Sequence, residues 1–156
     1  MAISLKSPAF GDGGPIPDKY TRLGENASPP LQWSEVPEGT RSLALVIEDP
    51  DAPSGVFRHW AIYDIPADKH ELDDGEAGAT NLPQARNDFG ETRYDGPQPP
   101  AGHGRHRYQF KLMALDIPSL EVAPDADVES VAKAAAPHVI DQAELVGTYE
   151  RASKEM

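Results

Sequence analysis

Hydrophobic and polar residues alternate with a period of two along several short stretches of the chain, the spacing that belongs to strands. Residues 2–6, 42–49, 59–65 and 106–115 read as strands by their aliphatic and β-branched content, with proline, glycine or aspartate punctuating their ends. The uninterrupted run Leu43-Ala44-Leu45-Val46-Ile47 reads as a buried strand, far short of the roughly 20 residues that cross a bilayer. One segment carries helical spacing instead. Val128, Val131, Ala132, Ala135 and Val139 fall on one face, Asp125 or Asp127 can cap the start, and Pro137 closes the regular part, which predicts a helix near residues 127–136. Glu144 to Tyr149 then reads as a last strand. Short strands joined by long Pro/Gly loops predict a mostly β, two-sheet antiparallel sandwich with one helix near the C-terminus. No repeat and no linker-like tract divides it, so residues 1–156 are expected to form a single domain.

Composition narrows the classes. The 156 residues are enough for one core, burying roughly 68–70% of the unfolded chain's surface. There is no cysteine, which excludes a disulfide framework, a zinc ribbon and a thiol nucleophile. The opening Met1-Ala2-Ile3-Ser4-Leu5-Lys6 lacks the basic start and apolar run of a secretory signal, so a cytoplasmic location is the expectation. Acidic residues outnumber Lys and Arg by 26 to 14, for a formal net charge of −12. Such a field repels polyanions and argues against nucleic-acid binding. Sixteen prolines and thirteen glycines favour fixed turns over long helices.

The chemistry gathers at strand ends. Leu43, Leu45, Ile47 and Asp49 share one face of their strand, which puts a carboxylate at the end of an apolar row. Counting the same way, His106, Tyr108, Phe110 and Leu112 share a face, with an imidazole at its head. If both rows face one core, Asp49 and His106 lie at its rim, where an unpartnered polar group costs roughly 1–3 kcal/mol. Asp49 could equally cap the turn that follows it. Two stiff loops flank these positions, Asp49-Pro50-Asp51-Ala52-Pro53-Ser54-Gly55 and Gly96-Pro97-Gln98-Pro99-Pro100-Ala101-Gly102-His103-Gly104. Loops of this composition can form a rigid rim with inward-pointing amides.

At these residues the chain resembles the phosphatidylethanolamine-binding proteins, also called Raf kinase inhibitor proteins. Asp49-Pro50-Asp51-Ala52-Pro53 with His59-Trp60 looks like the first signature of that family, and Tyr94-Asp95-Gly96-Pro97 through Arg105-His106-Arg107-Tyr108 like the second. Ser28 to Trp33, Asn87-Asp88-Phe89-Gly90 and Ala143 to Tyr149 extend the resemblance nearly end to end, and the short form resembles the bacterial and archaeal branch. The resemblance implies a two-sheet β fold with a preformed cavity for small anions such as phosphate, sulfate or a phosphoryl head group, in a ligand-binding or regulatory module. By position, Asp49, His59 and His106 correspond to the polar pocket residues, and Pro50, Pro53, Gly96, Pro99 and Tyr108 to the walls. It also implies a cis Ala52–Pro53 peptide. Gln98 departs from the pattern, where a smaller residue often stands, and the loop from Ser54 to Arg58 is shorter than in animal members.

In the anion-binding reading, His59 and His106 donate to the anion, amides near Gly96 assist, and Asp49 orients an imidazole. A regulator that docks a kinase or protease is the alternative, with a hydrolase using Asp49, His59 and His106 a third. No Gly-x-Ser-x-Gly elbow or cysteine accompanies them, and Ser54 reads as a turn residue, so the chain is not expected to be an enzyme or to carry a cofactor. A metal on His103, His106, His59 and Asp49 meets an obstacle: residues 103 and 106 point to opposite sides of an extended chain. His103 then reads as an exposed loop histidine, His70 and His138 as surface and helix-end residues, and Trp33 and Trp60 as core aromatics. No stable membrane insertion is expected. A homodimer and an unidentified protein partner both stay open.

Overall fold

The computed structural model describes residues 2–53 and 55–151. Among the described residues, seven strands form two antiparallel sheets. β1 (Ser4–Lys6), β2 (Leu31–Ser34) and β5 (Glu71–Leu72) make a three-stranded sheet in the order β1-β2-β5. β3 (Ser42–Asp49), β4 (Phe57–Pro66), β6 (Arg105–Leu115) and β7 (Val139–Glu150) make a four-stranded sheet in the order β4-β3-β6-β7. The chain is mostly β, as its alternation predicts. β2 and β5 go unannounced in the sequence, because four and two residues beside prolines or charges give no alternation to count.

β3 sits inside the larger sheet and is apolar on both faces. Leu43, Leu45 and Ile47 join Leu31, Trp33, Trp60, Phe110 and Leu112 in a core between the sheets. Ala44 and Val46 turn the other way, into a second cluster with Met113, Leu115, Val128, Val131 and Ala135. That second cluster is where α1 (Val128–Ala135) lays its apolar face. Asp127 caps the helix by accepting a hydrogen bond from the Ser130 amide at 2.9 Å. A 3₁₀ turn containing Pro137 follows at Ala136–His138 and hands the chain to β7, five residues earlier than the sequence suggests. Val139 therefore opens a strand instead of closing the helical stripe.

Two irregularities position the site. Across β3 and β4 the register steps from Ile47 opposite Trp60 to Glu48 opposite Arg58, so His59 is the extra residue of a β-bulge. Strict alternation would send His59 and Phe57 to the helix side with Ala61. The bulge flips the parity, and Phe57 instead pairs with Asp49 on the inter-sheet side. Gly104, at φ +101°, interrupts the extended path just ahead of β6. The Ala52–Pro53 peptide is trans, contrary to the expectation of a cis bond, since no described peptide bond is cis. The chain reverses there through a turn in which the Gly55 amide donates to the Ala52 carbonyl at 3.1 Å, with Gly55 at φ +112°. Ser54 lies outside the described residues.

Candidate functional site: a small aromatic-rimmed cavity

A cavity of about 260 Å³ opens where β3, β4 and β6 end, with Asp49, Ala52, Pro53, Phe57, His59, Phe89, Gln98, Pro99, Pro100, His106 and Tyr108 around it. This is below the roughly 300–1,000 Å³ of sites that enclose drug-sized ligands, so the space suits only a compact group. Six of the eight residues singled out from sequence meet here: Asp49, Pro53, His59, Pro99, His106 and Tyr108. Pro50 and Gly96 are not in the lining. The Gly96 amide donates to Asn26 Oδ1 at 2.7 Å, which takes it away from any ligand.

His59 is buried to 3% exposure. Its Nδ1 lies 2.7 Å from the Asp95 main-chain oxygen, and a carbonyl can only accept, so Nδ1 carries the proton. Burial holds the imidazole pKa below its usual value, against that hydrogen bond and the charges of Asp49, Asp95 and Asp88. Around His59 stand the rings of Phe57, Phe89 and Tyr108, with centroids 5.1, 5.6 and 5.3 Å away. Burial, then the neighbouring Asp49 charge, pushes the Tyr108 pKa up, and its hydroxyl keeps its proton.

Asp49 and His106 are both buried and bond directly, Nδ1 to Oδ2 at 2.7 Å. The other Asp49 oxygen accepts the Asp51 amide at 2.8 Å, so the turn-capping role read from the sequence is also filled. His106 Nε2 lies 2.6 Å from His103 Nδ1. Asp49, His106 and His103 thus form a continuous hydrogen-bonded chain from the cavity wall to the surface. Two sequence-based readings change here. His103 is exposed, as expected, but it does not point away from His106, because the bend at Gly104 breaks the extended count between them. His106 also has both ring nitrogens engaged within the protein.

Sequence reasoning missed the support beneath the cavity. The Asp95 carboxylate is fully buried and accepts from Asn26 Nδ2 at 2.7 Å and Asn87 Nδ2 at 2.9 Å. Arg93 approaches at 3.2 Å and Arg22 at 3.5 Å. Asn87 further accepts the Phe89 amide at 2.9 Å and sets the turn that presents Phe89 to the cavity. Arg22 lies over the ring of Phe89, 4.1 Å from its centroid, and donates to Gln98 Oε1 at 2.9 Å. These residues are far apart along the chain and carry no shared period. The Asn87-Asp88-Phe89-Gly90 stretch and the second signature, which contains Asp95 and Gln98, pointed at some of them but assigned no such network.

Comparison with known proteins agrees with this fold. A family model described as phosphatidylethanolamine-binding protein matches residues 6–150. A UPF0098 protein of Methanothermobacter thermautotrophicus is 47% identical over 153 residues, covering 96% of this chain and 99% of the relative. The crystal structure of Escherichia coli YBCL, described as a new member of the mammalian PEBP family, superposes with a TM-score of 0.91 at 33% identity, covering 96% of this chain and 99% of that one. That of CT736 from Chlamydia trachomatis, titled a putative phosphatidylethanolamine-binding protein homolog, gives 0.87 at 39% identity, with 96% and 98% covered.

Proposed function

We propose that this chain, which belongs to the phosphatidylethanolamine-binding protein family and is in that general sense a ligand-binding module, uses its cavity to hold a small anion of the phosphate type. One observation carries the reading: a compact cavity lined with aromatic rings holds Asp49, His59, His106 and Tyr108 as neighbours, with Asp49 bonded to His106 and the Tyr108 ring centroid 5.3 Å from that of His59 and 6.3 Å from that of His106. A phosphate group seated there reaches the Tyr108 hydroxyl and the His59 ring, while the prolines and Phe57 and Phe89 exclude water and strengthen each polar contact. Asp49 acts by orienting His106 and is not itself a donor. Two or three such bonds at roughly 1.5–3 kcal/mol each, less the cost of immobilisation, place a free small anion in the micromolar to millimolar range.

Titration of inorganic phosphate into isotopically labelled protein tests this, read by backbone and imidazole NMR. Saturable shifts centred on His59, Phe89 and Tyr108 are expected. Shifts confined to other surfaces, or none up to tens of millimolar, would refute the assignment.

A further inference from the structure

We infer that the cavity takes its anion together with one proton, and so selects a phosphate monoester that still bears a P–OH over anions of like shape that lack one. This rests on the anion-binding reading above and narrows its ligand class. The basis is the hydrogen-bond inventory of the cavity wall. His59 spends its one neutral-form proton on the Asp95 carbonyl, and its Nε2 meets no partner among the described residues. What that nitrogen offers a ligand is a lone pair. His106 has no proton to spare, with Nδ1 given to Asp49 and Nε2 shared with His103. The Asp49 carboxylate adds a negative charge to the same wall. Against these stand the Tyr108 hydroxyl, which also neighbours the Asp49 carboxylate, and the amide of Gln98, whose oxygen already accepts from Arg22.

The groups around His59 offer no substitute for the missing proton. Asp49 faces it from β3, Tyr108 and His106 from β6, and Asp95 and Asp88 from the connection between β5 and β6; Arg22, which lies against the Phe89 ring, is paired with Asp95. A fully ionised phosphate would set an oxygen against the His59 lone pair. A P–OH turns the same contact into a hydrogen bond, O–H donating to Nε2, while the remaining oxygens accept from Tyr108 and Gln98. Burial, which keeps His59 neutral in the free protein, keeps this acceptor available at neutral pH. If the proton passes from the ligand oxygen to Nε2, a phosphate dianion faces an imidazolium. The complex holds the same single extra proton either way, and no bond to phosphorus is made or broken.

Methyl phosphate, methyl sulfate and dimethyl phosphate separate the possibilities. The three monoanions share one charge, and those of methyl phosphate and methyl sulfate have nearly the same shape, but only that of methyl phosphate carries an acidic hydrogen. Dimethyl phosphate also stands for the diester linkage of a lipid head group, against a free monoester. Calorimetric titration of the intact protein at pH 7 should show methyl phosphate binding at least about tenfold tighter than either other probe, since a site built to bond a ligand hydroxyl rejects an analogue lacking it. With the monoester's second pKa at about 6, its monoanion falls from about half at pH 6 to about 1% at pH 8. Affinity should drop roughly 50-fold over that window. Titrations in two buffers of different ionisation enthalpy should report uptake of about one proton per ligand at pH 8 and about half a proton at pH 6. Nitrogen-15 NMR of the free protein should show His59 as the Nδ1–H tautomer with Nε2 unprotonated. In His59→Gln, whose side-chain amide supplies a donor without titrating, methyl sulfate should gain on methyl phosphate. Equal affinity for methyl sulfate and methyl phosphate, or binding of methyl phosphate at pH 8 without proton uptake, overturns the inference while leaving anion binding intact. Failure of all three probes to bind overturns both.

Discussion

Replacing Asp95 by Asn tests whether the buried carboxylate beneath the cavity holds the site together. Asn26 donates to Oδ1 and Asn87 to Oδ2, so whichever oxygen becomes an amide nitrogen turns one of these bonds into a donor facing a donor. One charge-assisted bond lost removes roughly 1.5–3 kcal/mol, and the stranded donor adds about 1–3. Relief by rotation of Arg22 and Arg93, which are 33% and 52% exposed, lowers the sum, and a loss of about 3 kcal/mol is expected. That is a large part of the roughly 5–15 kcal/mol that holds a domain folded, and in urea it moves the midpoint down by about 1–2 M with the slope unchanged. The pH dependence supplies a second reading of the same group. Burial works to raise the Asp95 pKa, but the hydrogen bonds from Asn87, Asn26 and Arg93 outweigh it and hold the pKa below the usual carboxylate value. A depressed carboxyl contributes its full stability above the unfolded-state value of about 3.9 and loses it as pH falls through the folded one. The gap between parent and Asp95→Asn should therefore be constant from pH 7 to pH 5 and shrink below about pH 4. A loss under about 1 kcal/mol at pH 7, or a gap that widens in acid, would refute the role given to Asp95.

Gly147→Ala should destabilise the fold by about 1–3 kcal/mol in chemical unfolding, because an added Cβ would lie 2.6 Å from Ile16 Cγ1 and 2.8 Å from Phe10 Cε2 in the packed core. Arg107→Ala should raise the Asp51 pKa, now lowered to about 2 chiefly by the Arg107 side-chain hydrogen bond, toward the ordinary value of about 3.9, read by carboxyl NMR titration. His103→Ala should leave global stability nearly unchanged but speed exchange of the Gly102 amide, which donates to the Arg151 carbonyl at 3.0 Å, about 2- to 12-fold, the effect of losing one hydrogen bond of about 0.5–1.5 kcal/mol between this loop and β6. Unchanged exchange would mean that His103 does not fasten the loop.

The sequence disclosed what local alternation can carry. β3 runs from Ser42 to Asp49 as its pattern predicts, and β6 differs from expectation by one residue at its start. The shared faces of Leu45, Ile47 and Asp49, and of His106, Tyr108 and Phe110, follow from the same count, and that count brought the Asp49–His106 pair within reach. It broke down where the backbone departs from regularity. The bulge at His59 and the positive φ of Gly104 each reset which side a side chain faces, and neither leaves a trace in hydrophobic periodicity. His59, which lines the cavity, was pointed to only by the resemblance of its surroundings to a family signature. The Asp95 network lay further out of reach, because it joins side chains from separate loops whose meeting is decided by the whole fold.

Charge and cavity chemistry bear on each other in a way neither shows alone. A chain of net charge −12 repels anions at a distance, but ionic strength near 0.15 M confines that field to about 8 Å, so contacts inside the cavity decide affinity. Those contacts do not include an uncommitted cation among the described residues. Arg22 is turned toward Asp95 and Gln98, and Arg107 is bound in a two-pronged pair to Asp51. Each positive charge beside the cavity is matched to a carboxylate that shapes the loops around it. The wall that remains is a carboxylate, a neutral imidazole and a few neutral donors in an aromatic collar, which suits a singly charged ligand better than a doubly charged one. On the inference drawn above, the proton that makes a phosphate monoester singly charged would also be the one that satisfies His59 Nε2, so that charge neutralisation and hydrogen-bond matching would be a single event at this site.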